Sequence, residues 1–240
     1  MKTTKPKKKL TADQETAASI NAIYDKILDA IMAHQLPPGT KLAEERLAAI
    51  FSVSRTRVRE TFARLAHEGI VTLIQNRGAF IASPTVEEAR EILAVRKIME
   101  ASIVRQLAQS ATKENIALLR KHDANELAAH NANDRSAIIR LSGEFHVMLA
   151  QFTSNGLMLR LVRELVSLNC LIIALYDSPG VPSCPLHGHV GIIDAIAAGD
   201  GARAARMMVK HLEEVESTLK LDAQAPHDSL DLGSIFSPQA

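Results

Sequence analysis

The sequence predicts a mainly α protein in two parts: a small N-terminal module with one β-hairpin, then an antiparallel bundle of six helices. Three observations carry this. Ala, Leu, Ile and Val dominate an apolar fraction of 47%, while aromatic residues make up only 3% and Gly and Pro are few, a composition that favours helix. Apolar residues recur at steps of three and four through most of the chain, the period of an amphipathic helix. Charge is also divided unevenly, with 13 Lys and Arg against 8 Asp and Glu in residues 1–83 and 15 against 19 in residues 84–240. A basic small part joined to an acidic large part suggests a polyanion-binding module coupled to something else.

Several classes are excluded at this level. The longest apolar run, Cys170 to Tyr176, is far shorter than the roughly 20 residues a membrane helix needs. The basic N-terminus leads into TADQET without an apolar stretch, so it does not read as a secretory signal. Cys170 and Cys184 form no C-x-x-C and are expected to be unpaired thiols of a cytoplasmic protein. No H-E-x-x-H, G-x-S-x-G or P-loop pattern occurs.

In chain order, residues 1–16 read as a disordered basic tail. Ile20, Ile23, Tyr24, Ile27 and Ile31 then mark an amphipathic helix over 17–34, which LPPGT (36–40) ends. A second short helix follows at 43–50, with Leu47 and Ile50 inward and Ala48 small enough for close helix approach. Phe51-Ser52-Val53 forms a tight turn into a third helix, VSRTRVRETFARLAHEG (53–69). Ser54 is its N-cap, and Val58, Phe62 and Leu65 make one apolar face. Arg55, Thr56, Arg57 and Arg59 crowd the first turn and the opposite side. Helix, short turn and helix is the helix-turn-helix arrangement, and arginine at the start of its second helix matches the O6 and N7 edge of guanine. Gly69 ends that helix. Ile70–Ile74 and Ala79–Ala82, joined by QNRG (75–78), form a hairpin wing with Arg77 at its tip, placed to reach a minor groove or a phosphate.

PPGTKLAEERLAAIFSVSRTRVRETFARLAHEGIVTLIQNRGAF resembles the winged helix-turn-helix of the GntR family of bacterial transcription regulators, over roughly residues 17–82. The resemblance implies dimeric binding to a palindromic double-stranded DNA operator. It assigns DNA contact to Arg55, Thr56, Arg57 and Arg59 of the helix and to Asn76, Arg77 and Gly78 of the wing. One departure is visible: this chain has Glu45 where relatives often carry an arginine, with Arg46 next to it.

A linker at 83–85 leads to a bundle over 86–222, with helices expected near 85–109, 113–131, 134–152, 156–176, 186–198 and 201–220. A flexible tail, 223–240, completes the chain. His189 is flanked at helical spacing by Ile192, Ile193 and Ile196. His211 lies among Met207, Met208, Leu212 and Val215, and His146 sits on a helix that is apolar nearly all round. A single histidine on an apolar face is usually a hydrogen-bonded core residue. Three on different helices of one bundle point to a borderline divalent cation such as zinc or nickel. His122, His130 and His187 carry no such signal and read as surface or loop histidines. Arg96 falls within the apolar stripe of Ile92, Val95, Met99 and Ile103. Buried there, it needs an anion: either Glu100 at i+4 or the carboxylate of a bound effector. Asn169, beside Leu165, Leu168 and Ile172, is a further pocket candidate.

VRKIME (95–100), EFH (144–146), HVGIIDAIAAGD (189–200) and ARMMVKHLEE (205–214) resemble the FCD domain, the ligand-binding half of the FadR subfamily. The resemblance implies that His146, His189 and His211 ligate a metal taking part in small-carboxylate binding. The fourth ligand of the family, an aspartate one turn before the first histidine, is here Ser142. The site is therefore expected to bind metal more weakly, or to bind the effector's acid group through the histidines alone. The leading reading is a metabolite-responsive regulator, expected to act as a repressor because the resemblance implies that mode most often, with Arg96, Ser142 and Asn169 at the effector. The alternatives are a metal-dependent hydrolase using the three histidines and a regulator whose bundle only dimerises.

Overall fold

The computed structural model describes residues 12–33, 35–177, 186 and 188–221. The first helix, α1, runs Ala12–Met32. It starts inside the 1–16 stretch expected to be a disordered tail, a correction for residues 12–16. Thr11-Ala12-Asp13-Gln14 has the spacing of a capping box, a start signal hidden behind the lysines. The rest of that tail, the tail 223–240, Cys184 and His187 lie outside the described residues.

Helix α2 spans Glu44–Ile50 and α3 spans Arg55–His67. Ser52 between them adopts a left-handed φ of 53°, turning the chain within the four residues 51–54. Gly69, at φ 73°, follows the C-cap of α3 where a side chain would be strained. The wing is β2 (Val71–Ile74) and β3 (Gly78–Ile81), paired antiparallel with Val71 opposite Ile81. A third strand, β1 (Lys41–Leu42), pairs with β3 to give the order β1-β3-β2. Two residues are too short for a periodic signal, so β1 is invisible in the sequence.

The bundle consists of α4 (Val86–Ser110), α5 (Lys113–Asn131), α6 (Arg135–Phe152), α7 (Gly156–Tyr176), α8 (Val190–Ala197) and α9 (Gly201–Ser217). Thr85 with Glu88 and Thr112 with Asn115 form reciprocal N-terminal caps on α4 and α5, and Asp200 caps α9. A helix was expected from 186, but α8 begins at Val190, with His189 as its N-cap residue. The apolar spacing that placed His189 inside a helix comes entirely from residues after it.

The two parts are not independent lobes. One continuous apolar cluster runs from Ile23, Ile27 and Phe62 of the N-terminal module to Leu93, Leu171 and Tyr176 of the bundle. The Tyr176 hydroxyl donates to the Pro84 carbonyl at 2.9 Å, tying the end of α7 to the linker. A second cluster, including Ile103, Phe145, Ile193 and Met208, fills the far half of the bundle. The histidine centre lies beside that second cluster. No helix among the described residues is long and apolar enough to cross a membrane.

Candidate functional site

On the winged module, the Ser54 side chain accepts from the Arg57 amide, setting the direction of the first turn of α3. Arg55, Thr56 and Arg59 are exposed there, with Arg57 partly so. The arginines are already held. Arg55 donates to Glu44 and to Glu45, each at 2.8 Å, and Arg59 donates to Glu44 at 2.8 Å. Hydrogen bonds from Arg59 and Arg55 pull the Glu44 carboxyl below its ordinary range. Glu45, the departure seen in the sequence, is therefore one jaw of a clamp on Arg55. At the wing tip Asn76 and Gly78 take left-handed φ values of 61° and 103°, presenting Arg77 to solvent.

Behind this face, α3 is fixed to α1. The Tyr24 hydroxyl donates to Glu68, the Arg64 guanidinium lies 3.6 Å from the Tyr24 ring centroid, and Arg64 also donates to Asn21 at 2.9 Å.

In the bundle, α6, the N-terminus of α8 and α9 bring His146, His189 and His211 together, each 2–3% exposed. One ligand nitrogen from each lies within 4.8 Å of the other two, and His189 Nε2 stands 3.2 Å from His211 Nε2. Carboxylates occupy the far side of two rings. Glu100 contacts His146 Nδ1, and Glu126 contacts His189 Nδ1 at 2.7 Å. Carboxylates that hold Nδ1–H leave the Nε2 lone pairs free, the second layer characteristic of histidine metal sites. Phe145 stacks on His189 with centroids 3.8 Å apart and fixes that ring further.

Electrostatics favour the ligand form. Burial pulls His146 down to about 4 and His189 to about 3, and moves His211 well below its ordinary value, so all three are neutral at physiological pH. Burial pushes Glu100 up, but Arg96 and His146 outweigh it and leave the carboxyl at about 2. Burial pushes Glu126 up to about 7.

Beside the histidines is a small cavity of about 20 Å³, lined by Arg96, Ser142, His146 and Asn169 among others. Arg96 donates to Glu100 at 2.7 Å, so the intrahelical pair exists. Its Nη2 nevertheless has no hydrogen-bond partner, and neither does Asn169 Oδ1. A buried donor and a buried acceptor left open cost about 1–3 kcal/mol each, and a ligand with an acid and a hydroxyl group would satisfy both. The sequence named Arg96, Ser142, Asn169 and the three histidines, and the structure brings them together. It missed Glu126 and saw Glu100 only as a partner of Arg96. Leu119, His122, Glu126 and Ala129 form the buried stripe of α5, and two polar residues on that stripe were the available signal. His122, expected at the surface, is buried, with Nε2 2.8 Å from the Leu141 carbonyl.

A winged helix-turn-helix packed on a helical bundle that buries a cluster of histidines is the build of a transcription regulator. Residues 19–81 match the model of bacterial regulatory proteins of the gntR family, and residues 91–214 match the FCD domain. The chain belongs to the GntR family of transcription regulators, with an FCD domain. It is 30% identical over 223 residues to the HTH-type transcriptional repressor NanR of Salmonella newport (strain SL254), covering 82% of this chain and 83% of that protein. The NanR repressor of Salmonella typhimurium (strain LT2) is also 30% identical, with 82% of each chain covered. Among solved structures, a GntR regulator from Rhodococcus sp. RHA1 is 25% identical with a TM-score of 0.70, covering 85% of this chain and 96% of that one. Escherichia coli McbR/YncC shares the fold at 15% identity and a TM-score of 0.74, covering 83% and 95%. The NanR relatives are named as transcriptional repressors and the family is one of transcription regulators, not enzymes, which sets aside the hydrolase alternative.

Proposed function

We propose that this chain is a cytoplasmic repressor that binds a palindromic operator as a dimer and senses a small carboxylate at a divalent cation, zinc or nickel, in its bundle. The DNA-binding part is assigned to 17–82, the linker to 83–85 and the sensing part to 86–222. The observation that carries the reading is the pair of carboxylates on Nδ1 of His146 and His189, which leaves their Nε2 atoms available to a cation, with His189 Nε2 3.2 Å from His211 Nε2. His146, His189 and His211 hold the cation, which supplies positive charge to the effector's acid group. Arg96 and Asn169 complete the grip through Nη2 and Oδ1, and Ser142 leaves room for water or effector where the family places an acid. The open Arg96 and Asn169 atoms count against a bundle that only dimerises, since such a bundle would satisfy them internally. The NanR relatives are named as repressors, which supports repression here.

DNA contact is assigned to Arg55, Thr56, Arg57, Arg59, Asn76, Arg77 and Gly78. Binding DNA requires Arg55 to exchange Glu45 for a base edge or phosphate. Glu45→Gln is therefore expected to raise affinity for a selected palindrome at low salt, with a steeper fall as salt rises. Fluorescence anisotropy checks this, and unchanged affinity would mean the clamp does not compete with DNA. Ser142→Asp places an anionic group one turn before His146. It is expected to tighten zinc binding by an order of magnitude or more, because the dication gains a charged ligand. Competition against a chelating dye measures it, and equal affinities in the two chains would remove Ser142 from the site.

A further inference from the structure

A second cavity, of about 370 Å³, lies where α1 of the winged module meets α6 and α7 of the bundle. It shares no lining residue with the cavity beside the histidines, and its size falls in the range of small-molecule sites, about 300–1,000 Å³. Leu28 of α1 and Val147 and Met148 of α6 form an apolar wall, the first buried and the others half-buried. Asp25 and Asp29 of α1, Glu144 of α6 and Arg163 of α7 supply the charge.

Most of that charge is already balanced. Glu144 accepts from Arg140 at 2.7 Å, and Arg163 lies 3.9 Å from Asp25. Asp29 has no hydrogen bond or ion pair among the described residues, and it stays open to solvent on one side. Burial pushes its carboxyl above the ordinary range; Lys26 opposes this, and Asp25 and Glu144 reinforce it. Acidic residues at a surface are ordinary in themselves. Here a single uncompensated carboxylate, partly stripped of water, stands at the edge of a walled apolar space, and a cation that reaches it restores the lost solvation.

We propose that this cavity binds a monocationic amine with a compact apolar body, its ammonium on Asp29 and its body against Leu28, Val147 and Met148. The charge count selects a single positive charge. Once Arg140 and Arg163 have taken Glu144 and Asp25, one acid remains, so a polyamine or a divalent cation would meet Arg163 with no second acid to hold it. The occupant touches α1 together with α6 and α7, the helices that carry His146 and Asn169. It therefore favours the packed arrangement of the two parts, an input separate from the carboxylate effector.

Saturation-transfer NMR on the full chain tests this with phenethylamine as probe and 2-phenylethanol, the same body without the charge, as control. The amine binds about threefold or more tightly than the alcohol, saturating zinc does not displace it, and Asp29→Asn removes the preference. Asp29→Lys reverses it, so that 3-phenylpropionate binds better than phenethylamine, a reversal that misfolding cannot imitate. Equal binding of amine and alcohol, or an Asp29→Asn chain that keeps the preference, would overturn the assignment. Displacement of the amine by zinc would place it at the histidines instead, and no saturation transfer from the wild-type chain to either probe would remove the site. Amine binding that appears only once residues 1–11 are deleted would give the cavity to the chain's own N-terminal lysines, again overturning the proposal.

Discussion

A His189→Ala chain is expected to lose the stabilisation that zinc or nickel gives the wild type. His189 supplies one of three nitrogens at the centre, held by Glu126 on Nδ1 and by the Phe145 ring. A ligand at 100 times its Kd stabilises a protein by about 2.7 kcal/mol, which at about 2–4 °C per kcal/mol for a chain this size is a shift of roughly 5–11 °C. The substitution also removes a packed ring, so its baseline melting temperature falls. The informative quantity is the change on adding metal, which goes to zero in His189→Ala. Glu126→Gln keeps the ligand and alters only its orientation and charge, and is expected to weaken metal affinity by about 10–100-fold. A metal-dependent shift of wild-type size in His189→Ala would place the cation elsewhere.

The second large effect is on DNA. Arg57→Ala or Arg55→Ala is expected to cost about 1–3 kcal/mol at a specific palindrome, roughly 5–150-fold in affinity. Each also removes positive charge from the first turn of α3, so salt dependence should flatten, by about one unit of log–log slope for an arginine on phosphate. Arg64→Ala separates DNA contact from support. Arg64 touches Tyr24, Asn21 and Glu68 behind the helix, so its loss should lower stability more than the salt slope. Anisotropy titrations at two salt concentrations check all three, and an Arg57→Ala and Arg55→Ala pair that both bind like wild type would remove the first turn of α3 from the interface.

Much of this was legible in the sequence because helical period and caps are local signals. Thr112, Asp200 and Ser54 announce their helices, and Gly69 with Asn76 and Gly78 announces the wing. The histidines were legible as residues on apolar stripes, although His189 reached the centre from the N-cap of α8. What was not legible depends on contacts between distant elements. Glu126 meets His189 across 63 positions and Glu100 meets His146 across 46, and no spacing rule joins helices that far apart. The Glu44–Glu45 grip on Arg55 and Arg59 crosses a turn whose geometry depends on Ser52 taking a positive φ. The shared core of the two parts was hidden by reading 83–85 as a linker, since a linker in sequence does not reveal whether the parts it joins pack together.

The central claim is that occupancy of the histidine centre sets DNA affinity. The most direct measurement is anisotropy titration of a selected palindrome with and without zinc plus a carboxylate that shifts the melting temperature, on wild type and on His189→Ala. A coupling of 1–3 kcal/mol, about 5–150-fold, is predicted for wild type and none for the variant. Operator affinity that is the same in both conditions for wild type, or that changes equally in His189→Ala, would contradict it.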